Sequence, residues 1–423
     1  MRPDLDRGTR APEFAARCKA ARCRACGRPG LRPVVDFGMM PLSDGFAPAD
    51  AAAVDAREPL ALAFCAGCGL AQLLDTLSPS RLFGPDYVYL SSVSATLAEA
   101  AQVNAEELSS RYGLGKNSLV VELACNDGGL LRHFAAREIS VLGIEPAPIP
   151  AAAAREAGVP LLESFFSFDL ARELVARGVK PDLVIANNVV AHVPDPHDFV
   201  AGVASLLAPG GTAVVEVHSL ASLVAQGQFD TIYHEHASYF SATSIAALFR
   251  RHRLELVDVK EAPLQGGSLR LHFTRDVSPS RNVSDQLAAE ARAGIADGSA
   301  LATFAKQVAR SVARIRSVLT GFASEGCSIA AYGAAAKGTM LLNHVGLGER
   351  VIRYVVDRNP HKQGRRVPGV KVPICSLERL LAEPPDVILI LPWNLRDEIV
   401  ASLEPLRKKG VRLVVPLPDV EIL

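Results

Sequence analysis

The chain has 423 residues, too many for a single hydrophobic core, so two to four domains are expected. Lys plus Arg and Asp plus Glu each number 45, so the net charge is zero and no long basic block is available to neutralise a phosphate backbone, which argues against a nucleic-acid partner. No apolar run approaches the ~20 residues that span a bilayer. Residues 1–22 mix Asp, Glu, Arg and Pro without an apolar core, so neither a membrane anchor nor a secretory signal is expected, and a cytoplasmic location is.

Residues 1–22 read as a flexible N-terminal extension, and residues 23–95 as a zinc-binding module with a tyrosine-bearing loop. The cysteines support this division. Cys18, Cys125, Cys327 and Cys375 are scattered, whereas Cys23-Arg24-Ala25-Cys26 and Cys65-Ala66-Gly67-Cys68 form two CxxC pairs. In a reducing compartment such pairs point to metal and not to disulfides. Each pair closes a knuckle that aims two sulfurs at one ion, and together Cys23, Cys26, Cys65 and Cys68 complete a tetrahedral zinc site. Gly27 and Gly69 suit the turns, and no nearby His or carboxylate offers an open catalytic position, so the zinc reads as structural. Such a site contributes on the order of 10 kcal/mol to folding. The segment Phe83–Ser94 follows, with Tyr87, Tyr89, Ser91, Ser92 and Ser94. It is either a helix-capping loop with packed rings or a loop folded over the next domain's cleft. A helix is predicted over 97–111.

Residues 96–280 read as a doubly wound α/β domain. An apolar strand over 118–125 leads into the turn Asn126-Asp127-Gly128-Gly129 and a helix over 130–137; a second strand, 141–146, ends in Glu145-Pro146. A small-residue turn after strand one, with an acid closing strand two, is how such a sheet holds an adenosine. The turn is not a dinucleotide GxGxxG, since the positions read Ala124, Asn126 and Gly128. It suits a nucleoside cofactor without phosphates, and S-adenosylmethionine fits that description. Glu122, Ala124, Asn126, Asp127, Gly128, Glu145, Pro146 and Asn187 are the expected cofactor-binding residues. Strand four, 182–188, ends in amides; Ala191–Asp195 is a loop that carries His192; a helix over 198–208 and strand five over 212–217 follow.

Next comes Phe229-Asp230-Thr231-Ile232-Tyr233-His234-Glu235-His236-Ala237-Ser238, with two imidazoles, two carboxylates and a phenol in ten residues. Packing alone rarely assembles such a set, so the chemistry is expected here. The residues themselves do not decide between His234 and His236: in an extended segment both point the same way, in a turn they need not. A structural polar network, or a metal site completed by His192, is the alternative. A helix over 241–252 and two strands, 254–261 and 268–274, around Gly266-Gly267 close the domain.

Residues 281–326 read as a helical connector and residues 327–423 as a second Rossmann-like α/β domain. A strand over 328–332 runs into Gly333-Ala334-Ala335-Ala336-Lys337-Gly338 at a helix start, and a strand over 351–360 carries Asp357 and Asn359. Small residues before a helix N-terminus suit a diphosphate, with Lys337 adding a charge. Further strands are expected over 386–391 and 412–415, and Pro392-Trp393-Asn394 holds the only tryptophan.

In combination these motifs resemble the nucleotide-sugar C-3'-methyltransferases of TDP-sugar type, which methylate C3 of a 4-keto deoxysugar. The resemblance rests on the two CxxC pairs, Pro41-Leu42-Ser43-Asp44, Tyr87–Ser94, Glu122–Gly128, Asn187–Asp195, Tyr233–His236 and Gly266–Arg270. It implies a class I methyltransferase sheet flanked by a zinc module and a sugar-nucleotide-binding domain. It also implies S-adenosylmethionine and structural zinc as cofactors, and a nucleotide-diphosphate 4-keto deoxysugar as substrate. By resemblance the general base falls on His236, supported by Tyr87, His192, Tyr233 and Glu235. The residues expected to face the substrate are Tyr89, Ser268, Arg270, Tyr332, Lys337, Asp357, Asn359, Trp393 and Asn394. The sequence departs from the family pattern at Ala124 in place of glycine, at Ala237 where phenylalanine is frequent, and at Gln265 before Gly-Gly-Ser. A monomer is expected. The competing readings are an O- or N-methyltransferase, a nicotinamide oxidoreductase using the C-terminal unit, and a zinc-ribbon interaction protein with an inactive methyltransferase fold.

Overall fold

The computed structural model describes residues 7–51, 55–275 and 277–423. A helix spans Arg7–Ala20, where a flexible extension was expected; residues 1–6 lie outside the described residues. Phe14 and Cys18, four apart on one face, bury together, and Arg17 pairs with Asp75 at 2.5 Å. Strand β1 (Arg32–Pro41) pairs antiparallel with β2 (Arg57–Phe64), and β2 with β3 (Ala71–Leu73). The fourth strand of this sheet is Ser238–Tyr239, from the end of the histidine-rich stretch. Side chains alternate along a strand, and β2 uses both faces. Leu60, Leu62 and Phe64 join the core of the C-terminal sheet, while Ala61, Ala63 and Cys65 join that of the central sheet. The zinc module is thus wedged between two α/β layers and shares their cores.

The central sheet has seven strands: β4 (Leu119–Leu123), β5 (Ser140–Ile144), β6 (Leu161–Leu162), β7 (Leu183–Asn187), β8 (Thr212–His218), β9 (Glu255–Ala262) and β10 (Ser268–Thr274). Their order is β9-β10-β8-β7-β4-β5-β6, and β10 runs antiparallel to both neighbours while β4 to β8 are parallel. Both faces are covered, as a parallel sheet requires: Val120, Ile185 and Val214 face one core and Val121, Val184 and Val215 the other. The helix over Ala95–Tyr112 starts at Ser94, whose hydroxyl accepts from Leu97 N, and stops at left-handed Gly113.

The C-terminal sheet contains β11 (Ile329–Tyr332), β12 (Val355–Val356), β13 (Ile374–Cys375), β14 (Val387–Ile390), β15 (Arg412–Val415) and β16 (Glu421–Ile422), in the order β13-β12-β11-β14-β15-β16. The long strand expected over 351–360 reduces to two residues, because Val351 and Ile352 turn back to the Gly348 carbonyl. Two helices, Arg281–Arg292 and Phe304–Ser324, occupy the expected connector. Among the described residues no helix is long and apolar enough to cross a membrane.

Candidate active site

The four CxxC cysteines converge, with all four sulfurs within 4.8 Å of one another and Cys23–Cys68 and Cys26–Cys65 each 3.5 Å apart. A tetrahedral zinc with Zn–S bonds of about 2.3 Å separates its sulfurs by about 3.8 Å, so the cluster fits that ion. The knuckles form because Gly27 and Gly69 take positive φ, and backbone N–H groups of Ala25 and Cys26 point at the Cys23 sulfur, as stabilises a thiolate. The first knuckle also reaches the histidine-rich stretch. Arg24 donates through Nη2 to the Leu73 carbonyl at 2.8 Å and through Nη1 to the Ala237 carbonyl, next to His236.

The carboxyl edge of the central sheet opens onto a cavity of about 850 Å³. Glu122, Ala124, Asn126, Glu145, Pro146 and Asn187 line it. Ala124 and Asn126 both adopt left-handed backbone, with φ of 55° and 52°. Glu145 accepts from Asn126 N and Ala147 N, each at 2.9 Å. Among the described residues Glu122 Oε2 and Asn187 Oδ1 are buried without a partner. Buried polar atoms are normally hydrogen-bonded, so these two orphans fit a ligand that brings donors, as the hydroxyls and amines of an adenosyl cofactor do. Burial drives the Glu122 carboxyl well above its ordinary range, with Asp127 and Glu145 adding to the shift. Asp127 and Gly128, by contrast, do not line the cavity. Asp127 accepts from Ser91 Oγ at 2.7 Å and Ser92 N at 2.8 Å. A Cβ on Gly128 would lie 2.8 Å from Val159 Cγ2, so that glycine serves close packing.

The histidine-rich stretch does not follow the apolar strand directly: the helix Leu220–Ala225 and the single turn Phe229–Thr231 intervene. A turn then closes through His236 N to the Tyr233 carbonyl, 2.9 Å, and breaks the alternation of side chains. The two imidazoles diverge. His234 turns into the zinc module, with Nε2 donating to the Glu58 carbonyl at 3.3 Å. His236 faces the cavity. Its Nδ1 lies 2.8 Å from the Thr231 carbonyl, which can only accept, so the proton sits on Nδ1 and no protein partner takes Nε2 among the described residues. Its ring centroid is 4.1 Å from that of Tyr233 and 4.9 Å from that of His192. His192 in turn donates from Nδ1 to the Glu235 carbonyl at 2.5 Å. Burial, followed by the neighbouring His192, holds His236 well below the ordinary imidazole value. Burial raises the Tyr87 and Tyr233 phenols well above theirs. Glu235 is pushed up to about 8, first by burial and then by Asp44.

Tyr87, His192, Tyr233, Glu235 and His236 therefore border one cavity, together with Tyr89, Arg270, Tyr332, Lys337, Asp357, Asn359 and Asn394. Two residues expected to face the substrate do not reach it. Ser268 donates to the Leu264 carbonyl at 3.3 Å beneath the Gly266-Gly267 turn, and Trp393 lies behind Lys337, whose ammonium is 4.8 Å from the indole centroid. Arg270 is paired with Glu216 at 2.9 Å, both buried. The tyrosine loop does both things its composition allowed: Ser94 caps a helix, and the loop spans the cleft. Asn126 accepts from Ser91 N and donates to the Tyr89 carbonyl, while Asn359 donates to the Val88 carbonyl at 2.7 Å. Asp44, Lys362, His218 and Gln265 also line the cavity without having been singled out as site residues. The motif Pro41–Asp44 marked Asp44, but no local signal places it beside Glu235, nearly two hundred positions away.

Family models match the chain in three successive stretches: a zinc binding domain over residues 23–83, a methyltransferase domain over 95–259 and a C-methyltransferase C-terminal domain over 263–418. The C-methyltransferase NovU of Streptomyces niveus is 35% identical over 407 residues, covering 95% of this chain and 96% of that protein. A ubiquinone biosynthesis O-methyltransferase of Methylobacterium sp. (strain 4-46) is 35% identical over only 96 residues, 22% of this chain and 37% of that one. The magnesium protoporphyrin IX methyltransferase structure from Synechocystis PCC 6803 has a TM-score of 0.35 at 16% identity, covering 44% of this chain and 89% of that one, a likeness too slight to bear on function. With near-complete coverage of NovU, a four-cysteine cluster inside the zinc binding match and a methyltransferase domain beside it, the chain belongs to the C-methyltransferase family.

Proposed function

We propose that this C-methyltransferase methylates C3 of a nucleotide-linked 4-keto deoxysugar, with His236 as the base. The observation that carries the reading is the His236 imidazole: Nδ1 is bonded to the Thr231 carbonyl, and Nε2 faces the cavity among phenols and a carboxyl group. Carbon methylation needs a carbon acid to lose a proton. A ketone at C4 makes the C3 proton removable, and a positioned base is worth roughly 10²–10⁴-fold. Because its pKa is held low, His236 is neutral at pH 7 and ready to accept, but it is a weak base. The reaction then depends on donors at the C4 oxygen, where charge develops as the C3–H electron pair moves into the enolate. Tyr87 and Tyr233 remain protonated across the physiological range and can donate there, as can protonated Glu235.

Glu122, Asn126, Glu145 and Asn187 would hold S-adenosylmethionine at the central edge, with Ala124 as the wall of its site. When bound, the cofactor supplies an electrophilic methyl group on a sulfonium. The NovU likeness and the polar groups contributed by both sheets support a substrate held between them. The test is hydrogen exchange at C3 in heavy water, together with the position of the methyl group in the product. Wild-type protein should wash the C3 proton out and methylate carbon, and His236→Asn should lose turnover by about 10³-fold while still binding S-adenosylmethionine. Methylation of oxygen without exchange, or an active His236→Asn protein, would sink the reading.

A further inference from the structure

Trp393 does not border the cavity, yet three segments that do border it meet on its indole. Its Nε1 donates to Asp230 Oδ2 at 2.7 Å. Lys337, which also donates to Asn394 Oδ1 at 2.8 Å, lies over its ring. The Gly266 backbone lies so close that an added Cβ would fall 2.7 Å from Cη2. Asp230 is fully buried, and its second oxygen has no hydrogen-bond partner among the described residues. A buried carboxylate is costly, and this one is met by the charge of the buried Lys337 ammonium as well as by the indole N–H, so the acid ties together side chains that packing alone would leave unlinked.

What Asp230 does have is position. It sits in the single turn Phe229–Thr231, one residue before the carbonyl that accepts from His236 Nδ1. The same turn is tied by Thr231 Oγ1 to the Gln228 carbonyl at 2.8 Å, and Gln228 donates to the Gly266 carbonyl at 2.6 Å. The indole N–H therefore holds, from the C-terminal part of the chain, the turn whose next carbonyl fixes the imidazole.

We propose that Trp393 and Asp230 are a positioning pair for the methyl transfer, with the indole–carboxylate hydrogen bond setting the turn that orients His236. This inference rests on the reading of His236 as the base. Neither residue touches substrate; both act through the Thr231 carbonyl.

Trp393→Phe tests it, because phenylalanine keeps an aromatic ring while removing the indole N–H and the ring edge that packs on Gly266, and Asp230→Asn, which leaves that packing intact, controls for the second loss. Relative to wild type, kcat should fall about 10- to 100-fold, the range for a slightly misplaced catalytic group. The KM for S-adenosylmethionine should stay within about two-fold, the site edge at Glu122 and Asn187 being untouched. The acid limb of kcat/KM should move up part of the way towards the ordinary imidazole value near 6.5, because a loosened turn admits water to His236 and relieves the burial that chiefly depresses it, while His192, His218 and Lys337, which lower it further, remain. Asp230→Asn keeps an acceptor for the indole, so it should retain kcat within about three-fold and leave the acid limb in place. If Trp393→Phe does not fold, Asp230→Leu takes its place, deleting the acceptor at similar size. Wild-type kcat and acid limb in the deleting variant would overturn the proposal. So would a loss that merely tracks the folded fraction with the limb unmoved, or a loss in Asp230→Asn as large as in Trp393→Phe. His236→Asn, assayed alongside, separates the two failures. If it stays active, the base assignment fails and takes this inference with it. If it is dead while Trp393→Phe is unimpaired, only the positioning pair fails.

Discussion

The parallel parts of the two α/β sheets begin alike and end differently. In each, the acid closing the second strand reaches back to the turn after the first: Glu145 accepts from Asn126 N and Asp357 from Ala334 N, at 2.9 and 2.7 Å. Beyond that, the central edge leaves buried oxygens of Glu122 and Asn187 open. The C-terminal edge commits its groups to the chain itself. Asp357 also takes Asn359 N, Lys362 donates to the Ala334 carbonyl, Lys337 to Asn394, and Asn359 holds the tyrosine loop at Val88. Among the polar groups of that edge that line the cavity, the Tyr332 hydroxyl is left buried, with no hydrogen-bond partner among the described residues. The difference separates two jobs. On the proposed reading one edge receives a ligand directly and the other braces the loops that close over it, so that a ligand there is met largely by groups already in position.

The zinc module joins the two edges, so removing its metal should have the largest effect. The ion is worth on the order of 10 kcal/mol to such a module. Its loss should also free Arg24 from the Ala237 and Leu73 carbonyls and so release the strand that follows His236. Chelation is expected to abolish methyl transfer and to lower the melting temperature measured by calorimetry. A zinc-free protein with native melting and native activity would contradict the structural role.

A smaller effect sharpens the contrast between the edges. Asn187→Ala removes an open group from the central edge, and Lys337→Ala removes a committed cation from the other. Each should weaken its own ligand about 10-fold, the value of one hydrogen bond to a charged or buried partner. Asn187→Ala should act on S-adenosylmethionine and Lys337→Ala on the sugar nucleotide proposed as substrate, each leaving the other ligand within about two-fold in titration calorimetry. Equal effects on both ligands would mean that the edges are not separate sites.

The sequence made local features readable and long-range ones opaque. The CxxC spacing, the small-residue turn at 124–128 and the hydrophobic strands over 119–123 and 183–187 are short-range patterns, and each sits close to where the pattern put it. The helix Arg7–Ala20 was missed because its mean polarity masks a two-residue apolar face, Phe14 and Cys18, whose burial depends on distant partners. The two imidazoles could not be told apart because their orientation follows from a turn closed at Tyr233–His236, not from strand alternation. Trp393 and Ser268 were expected at the substrate, but Trp393 lies behind Lys337 and against Gly266, and Ser268 turns its hydroxyl to the Leu264 carbonyl, contacts that no local pattern announces. Asp44 reaches the cavity from between strands of the zinc module, a placement that only the packing of three sheets produces.

The smallest effect is expected where the two edges correspond residue for residue. The position directly after the first strand is Ala124 in the central sheet and Gly333 in the C-terminal one, and both are left-handed, at φ 55° and 84°. A non-glycine residue there costs roughly 1–2 kcal/mol, while a glycine loosens the unfolded chain by about 0.4–1 kcal/mol. Ala124→Gly should therefore stabilise the protein by about 0.5–1 kcal/mol, a rise of about 1 °C in melting temperature without cofactor. Gly333→Ala should do the reverse and more, because its Cβ would land 2.4 Å from Pro392 Cγ in addition to the backbone penalty. Calorimetry on the two variants reads both signs. If Ala124→Gly destabilises the protein, the alanine methyl is a packed part of the cofactor wall and not a strained substitute for glycine. The central edge would then resemble the C-terminal one in using its first turn to hold its own structure.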